Sequence, residues 1–222
     1  MKPTVTIIDY GMGNLFSIKC ALDKVGLKSL ITKDISKIRN SEAVILPGVG
    51  AFPDAIKKLR YLKLDKVIID LHSRKKIIFG ICLGMQLLFE KSYEGKISKG
   101  LGILKGKVVK FQTNKNFKKS FNVGWKKIQI IKNQKNKGFL NAKDNYMYFI
   151  HSFHVKPGNE QIITSKSSFN GLNFVSSVNE ENVYGFQFHP EKSSKSGLNI
   201  YKCLKNIIYE KSLQLTKKSR VL

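Results

Sequence analysis

The chain opens on a short apolar run, Thr4 to Asp9 (TVTIID), closed by the turn signal YGMGN, and this pattern predicts a buried first strand. From Asn14 to Val25 the apolar positions Leu15, Ile18, Leu22 and Val25 fall at helical spacing, with Gly26 as a stop. Leu27 to Thr32 predicts a second strand. Glu42 to Leu46 (EAVIL), ended by Pro47-Gly48, predicts a third. Asp54 to Ser73 reads as helix, in one piece or two. Lys76 to Ile81 predicts strand four, and a helix is expected from Gly84 to Glu90. Strands that alternate with helices imply an α/β fold with a doubly wound, mostly parallel sheet flanked by helices.

Beyond Leu101 the periodicity changes. GILKGKVVKF, WKKIQII, YMYFIHSFHV, QIITSK, LNFVSSV and NVYGFQF are strand-like runs, so extra antiparallel strands are expected in the second half. The polar gaps QTNKNFKKS (112–120) and KNQKNKG (132–138) read as exposed loops. Ser196 to Glu210 carries the pattern of a last helix. No repeat and no linker interrupts the chain, so a single domain is expected over 1–210, followed by a basic tail, KSLQLTKKSRVL, at 211–222.

Composition narrows the class. The 222 residues suffice for one α/β domain with a substantial core, and 42% hydrophobic residues with a mean hydropathy of −0.20 suit a soluble protein. The N-terminal MKPTVTIIDYGMGN lacks the pattern of a secretion signal, and no run approaches membrane-spanning length. Cys20, Cys82 and Cys203 are odd in number and far apart, which implies no disulfide framework and fits a reduced, cytoplasmic setting.

The net charge of +25 and the pI near 10.0 raise nucleic acid or a membrane surface as partners. Of the 40 basic residues, however, only Arg39, Arg60, Arg74 and Arg220 are arginine. The lysines are scattered among Asn and Ile, whereas base readout prefers the bidentate guanidinium. No specific nucleic-acid partner and no membrane are expected. A basic nucleic-acid-binding protein remains as the reading from another class.

The chemistry starts at IIFGICLGMQLLFE, Ile77 to Glu90. G-x-C-x-G between a strand and a helix is the cysteine form of a nucleophile elbow. Glycines on both sides allow close backbone approach, the tight turn exposes the sulfur, and the helix start favours thiolate over thiol. The amide of Leu83, next after Cys82, would face a developing oxyanion. An inert buried cysteine accounts for Cys20 and Cys203, which lie in helical patterns, but not for the glycine brackets around Cys82.

A cysteine nucleophile needs a base. His189, in GFQFHPEKS, has Glu191 two residues on, and in extended chain i and i+2 project to the same side, so the carboxylate can orient the imidazole. His151 and His154 lack a third ligand cluster for a metal and read as structural or pocket-lining. His72 reads as solvent-facing. LPGVGAFPDA (46–55) follows strand three, beside the elbow in such a sheet. Gly48 and Gly50 flank Val49, which makes the Val49–Gly50 peptide the best candidate for a second oxyanion donor, able to turn toward Cys82 or away. An ordinary tight turn explains the same residues.

Taken together, IDYGMGNLFS (8–17), LPGVGAFPDA (46–55), GICLGMQLL (80–88), VGW (123–125), FIHSF (149–153) and GFQFHPEKS (185–193) resemble the class I glutamine amidotransferases, in order and spacing and over nearly the whole chain. Within them the closer resemblance is to the glutaminase subunits of imidazole glycerol phosphate synthase. The resemblance implies a Cys82-His189-Glu191 triad that hydrolyses glutamine to glutamate and ammonia without a cofactor or metal. It implies Gln86, His151, Ser152 and Phe153 as substrate-holding residues, and Gly50 and Leu83 as backbone contacts. It further implies a (β/α)8 cyclase partner in a heterodimer, met through Asn14, Trp125 and Lys192. That partner uses the ammonia to make imidazole glycerol phosphate and an aminoimidazole ribotide in histidine biosynthesis. The chain departs from the family pattern at Phe153, usually Tyr, and at Lys126, usually Asn. A related glutaminase that supplies ammonia for amidination of surface-sugar precursors shares the same blocks and is the alternative. A cysteine peptidase on the same fold is a further one.

Overall fold

The computed structural model describes residues 4–112, 120–131, 140 and 145–218, with side chains as far as position 211. Five strands, β1 (Thr4–Ile8), β2 (Lys28–Thr32), β3 (Ala43–Leu46), β4 (Ile77–Ile81) and β13 (Val183–Phe186), run parallel in the order β2-β1-β3-β4-β13. The sheet continues antiparallel through β12 (Leu172–Glu180), β11 (Ile163–Phe169), β8 (Asn122–Ile130) and β9 (Tyr146–His151), nine strands in all. A second sheet of four strands has the order β10-β7-β5-β6, from β5 (Phe89–Ser92), β6 (Ser98–Lys99), β7 (Leu104–Lys110) and β10 (Phe153–Pro157).

Alternation along the parallel strands builds two cores, one on each face. Val5, Ile7, Ala43, Ile45, Ile77, Phe79 and Ile81 face α1 (Leu15–Lys24) and α6 (Ser194–Lys218). Ile8, Val44, Leu46 and Ile78 face α2 (Ile35–Arg39), α3 (Phe52–Tyr61), α4 (Leu64–Ser73) and α5 (Leu83–Leu87). Burial on both faces is why these strands read as continuous apolar runs.

Several elements differ from the sequence expectation. The helix after Cys82 spans five residues, not Gly84 to Glu90, because Phe89 leaves it to pair with Leu104 in the second sheet. That apolar run is buried on every side, so it has no polar face to mark where the helix ends. FIHSFHV is split at Ser152 between the two sheets. α2 is an added helix, started by Asp34, whose Oδ1 accepts from the Ser36 and Lys37 amides. The 54–73 region is two helices, and α6 runs on to Lys218. Of the expected loops, residues 113–119 and 132–138 lie outside the described residues, as do residues 219–222 of the tail.

Candidate active site

Three neighbouring parallel strands, β3, β4 and β13, end on one edge, and each hands the chain to a functional segment. β3 leads into Pro47–Gly50, β4 into Cys82, and β13 through Gln187 and Phe188 to His189. This is the crevice at the carboxyl ends of the strands where open α/β sheets bind ligands. β9 reaches back over it: the Tyr148 carbonyl accepts from the His189 amide at 2.9 Å, and the Ile150 carbonyl oxygen lies 3.9 Å from the Cys82 sulfur.

Cys82 sits on a strained turn, with φ 52° and ψ −111°, between the last residue of β4 and the first of α5. The glycine brackets have a direct steric cause. A Cβ at Gly84 would lie 1.9 Å from the Leu46 carbonyl oxygen, and one at Gly80 2.9 Å from the Met85 backbone. The elbow therefore forms only where two backbone segments touch without side chains. Gly50 (φ 105°) ends a loop whose other end is pinned by the buried Tyr10, whose hydroxyl donates to the Pro47 carbonyl at 2.8 Å. Burial, and then the charge at Cys82, raise the Tyr10 pKa well above its ordinary value, so this hydroxyl stays neutral.

His189 and Glu191 face each other across Pro190, with Nδ1 to Oε1 at 2.7 Å and both side chains almost fully buried. Burial alone would strip the imidazole of its proton. The negative charge and hydrogen bond at Cys82 and the carboxylate of Glu191 outweigh it, and together they raise the His189 pKa to about 10. With Nδ1 occupied by Glu191, Nε2 is the atom left to serve the sulfur. Glu191 reaches further, to the fully buried Tyr201: burial and then the carboxylate's charge push that hydroxyl up.

Cys82 shares a cavity of about 280 Å³ with Val49, Gly50, Leu83, Gln86, His151, Ser152 and Phe153, so the expected oxyanion and substrate residues converge on one place. The cavity suits a small ligand better than a polypeptide. Glu94, Phe121 and Ile150 complete it, and sequence reasoning missed all three. Glu94 lies in the loop after β5, and its Oε2 accepts from the Phe52 amide at the start of α3 at 2.8 Å. A larger depression, of about 680 Å³, lies between β8 and β11, lined by Lys127, Lys166 and Ser167 among others, and contains neither cysteine nor histidine.

His151 is buried and neutral. Its Nδ1 donates to the Phe153 carbonyl at 2.8 Å, and Nε2 accepts from Asn122 Nδ2 at 3.0 Å. Burial lowers its pKa to about 3 against the opposing pull of the Phe153 carbonyl. His154 stacks on Phe111 at 4.7 Å and does not line this cavity. His72 is half-buried rather than solvent-facing. Among the described residues no three His, Cys, Asp or Glu side chains come together as a metal site.

The opposite signs at His189 and His151 are measurable. Ring-nitrogen NMR at pH 8 is expected to show His189 doubly protonated and His151 neutral with its proton on Nδ1. A neutral His189 at that pH would contradict the charge balance above. For stability the signs differ too. The raised His189 contributes fully below about pH 6.5 and loses its contribution as pH rises through about 10. The lowered His151 contributes above about pH 6.5 and fades toward about pH 3.

Asn14, Trp125 and Lys192 fall away from the cavity. Trp125 is half exposed and meets Tyr148 edge-on at 6.1 Å, while Lys192 Nζ stands 5.8 Å over the same tyrosine ring. Asn14 caps α1, and α1 packs on the Pro190–Lys192 turn.

The family model for glutamine amidotransferase class-I matches residues 6–206. The chain belongs to the class I glutamine amidotransferases. Among relatives of this amidotransferase, the imidazole glycerol phosphate synthase subunit HisH of Bacillus subtilis is 39% identical over 88% of the chain and 92% of its own length. The same subunit of Caldanaerobacter subterraneus is 45% identical over 89% and 95%. At this identity and coverage the amidotransferase belongs to the HisH family. In fold it resembles PurLQS from Thermotoga maritima, with a TM-score of 0.72 at 23% identity, covering 94% of this chain and 100% of that one. A putative GMP synthase subunit from Thermoplasma acidophilum gives 0.71 at 17% identity, with 98% of each covered. Among the described residues of the amidotransferase no helix is long and apolar enough to cross a membrane.

Proposed function

We propose that this chain is the glutaminase subunit of an imidazole glycerol phosphate synthase in histidine biosynthesis, acting in the cytoplasm on glutamine with Cys82, His189 and Glu191. The observation that carries the reading is an elbow cysteine that opens on one small cavity and holds, by its charge and hydrogen bond, the proton of a histidine that Glu191 orients. The sulfur attacks the side-chain amide carbon of glutamine. His189 Nε2 gives its proton to the departing nitrogen, and ammonia leaves a γ-glutamyl thioester on Cys82. The imidazole, now neutral, takes a proton from water, whose oxygen bonds to the acyl carbon. The carbon–sulfur bond breaks with its electron pair on sulfur, and glutamate departs. Glu191 holds the ring and its charge throughout.

The Leu83 amide and the Val49–Gly50 peptide are the oxyanion donors in this reading. Gln86, His151, Ser152 and Phe153 hold the substrate, and Glu94 offers a carboxylate for its ammonium group. A (β/α)8 cyclase docks over Asn14, Trp125 and Lys192 and takes up the ammonia. The relatives' names favour this role over surface-sugar amidination.

Regulation follows from the loop. Tyr10 fixes Pro47, and the left-handed Gly50 leaves the Val49–Gly50 peptide as the joint that can turn. One missing oxyanion donor costs about 3–4 kcal/mol in the transition state, roughly two to three orders of magnitude in rate. The isolated chain is expected to be a poor glutaminase, and the cyclase carrying its own ligand to raise kcat/KM by about that factor. Steady-state glutamine hydrolysis by the chain alone, with the cyclase, and with the liganded cyclase checks this. Equal values in all three conditions would refute the switch. Gly50→Pro, which removes the amide hydrogen and cannot hold the φ of 105° at this joint, should lower activated turnover more than cyclase affinity.

A further inference from the structure

Gln187 is fully buried, two residues before His189, and none of the steps above uses it. Its amide orientation follows from its neighbours. Gln86 presents one terminal atom 3.0 Å from the Phe153 carbonyl oxygen, which can only accept, so that atom is Nε2. The same nitrogen lies 3.0 Å from the Gln187 side chain and needs an acceptor there, so the atom it faces is Oε1. The remaining terminal atom of Gln187 is therefore Nε2, and it stands 3.7 Å from Cys82 Sγ. Either amide reversed would set two oxygens or two N–H groups against each other. The anchor of the chain is firm, because His151 Nδ1 donates to the same Phe153 carbonyl.

We propose that Gln187 is a catalytic residue: its Nε2–H donates to the Cys82 sulfur whenever that sulfur carries negative charge. The proposal rests on Cys82 being the nucleophile. A charged acceptor makes such a bond strong, and the neutral thioester sulfur makes it weak. Gln187 therefore stabilises the nucleophile before attack. It receives the charge again when the carbon–sulfur bond breaks and the electron pair returns to sulfur. Gln86 acquires a second duty, since it points the Gln187 amide.

The test is the pH profile of Cys82 alkylation by iodoacetamide, followed on the Cys82 peptide by mass spectrometry, in the wild type and in Gln187→Met. Methionine is similar in length but has no N–H. The variant's profile should be displaced by about one pH unit upward, which lowers the rate about tenfold on its rising limb, and kcat/KM for glutamine should fall about ten- to a hundredfold. An undisplaced profile overturns the proposal even if activity or melting temperature falls, because loss of packing alone lowers both. If Gln187→Met does not fold, the wild-type protein decides. The Gln187 side-chain amide NMR signals should move over the pH range in which alkylation turns on, and stay still in Cys82→Ser. Signals indifferent to the sulfur's charge would overturn the proposal. Failure of the nucleophile assignment is seen separately, as glutamine turnover retained by Cys82→Ser.

Discussion

Cys82→Ser is expected to lose glutamine hydrolysis by about four orders of magnitude or more, while melting temperature and cyclase binding stay at wild-type values. Oxygen replaces sulfur with little change in size, at a position that already holds a non-glycine residue at φ 52°, so the elbow has no new steric reason to move. The chemistry is different. A serine hydroxyl is far harder to deprotonate than a thiol, and the variant loses the sulfur's negative charge, the largest of the causes that keep the wild-type His189 protonated and paired with its nucleophile. Glutamate release measured with the liganded cyclase gives the number. Turnover within a hundredfold of wild type would remove Cys82 as the nucleophile. Cys20→Ser and Cys203→Ser, on α1 and α6, should keep full activity because neither side chain borders the cavity.

Gly84→Ala is expected to lower both stability and turnover strongly. The added methyl would start 1.9 Å from the Leu46 carbonyl oxygen, with the Pro47 carbonyl oxygen at 3.0 Å. Neither is a flexible side-chain tip. α5 must move by more than about 1 Å away from β3, or β3 must shift. Overpacking of this kind costs about 3 kcal/mol, equivalent to roughly 6–12 °C in melting temperature for a domain of this size. The displacement carries the Leu83 amide and the Cys82 sulfur with it, and a misplacement of about 1 Å costs about a hundredfold in rate. Thermal unfolding and steady-state hydrolysis on the same preparation check both parts. A variant that melts and turns over like wild type would show that the strand–helix contact is looser than these distances imply.

The Cys82 elbow and the His189–Glu191 pair could be read from the chain because each demands particular residue types at short spacing. Two glycines must bracket Cys82 where backbones touch, and Glu191 must follow His189 by two. The central parallel strands β1, β3, β4 and β13 were legible for a related reason, since burial on both faces leaves a continuous apolar run. Other features depend on contacts between distant segments. Glu94 joins the cavity only because β5 leaves α5 early to pair with β7, a turn that no periodicity announces. Tyr10 matters through Pro47, 37 residues away. Gln187 did carry a signal, as a polar residue between Phe186 and Phe188 in an otherwise apolar run. Its meaning needed Gln86 and Cys82 in place beside it.

The parallel pairing of β4 with β13 bears on how the molecule is made. Gly185 lies beside Gly80, and Phe186 beside Ile81, so Cys82 and His189 hang from adjoining strands although 106 residues separate them in the chain. β13 does not join at a rim: it is inserted between β4 and β12. During synthesis β4 and its cysteine emerge first, with an open strand edge that closes only when Val183–Phe186 has left the ribosome. A nascent or truncated chain ending before Val183 carries the sulfur without its histidine, and it cannot release ammonia into the cell. Glutaminase activity thus reports a chain made past Glu191, and the slow long-range closure of that edge sets when it first appears.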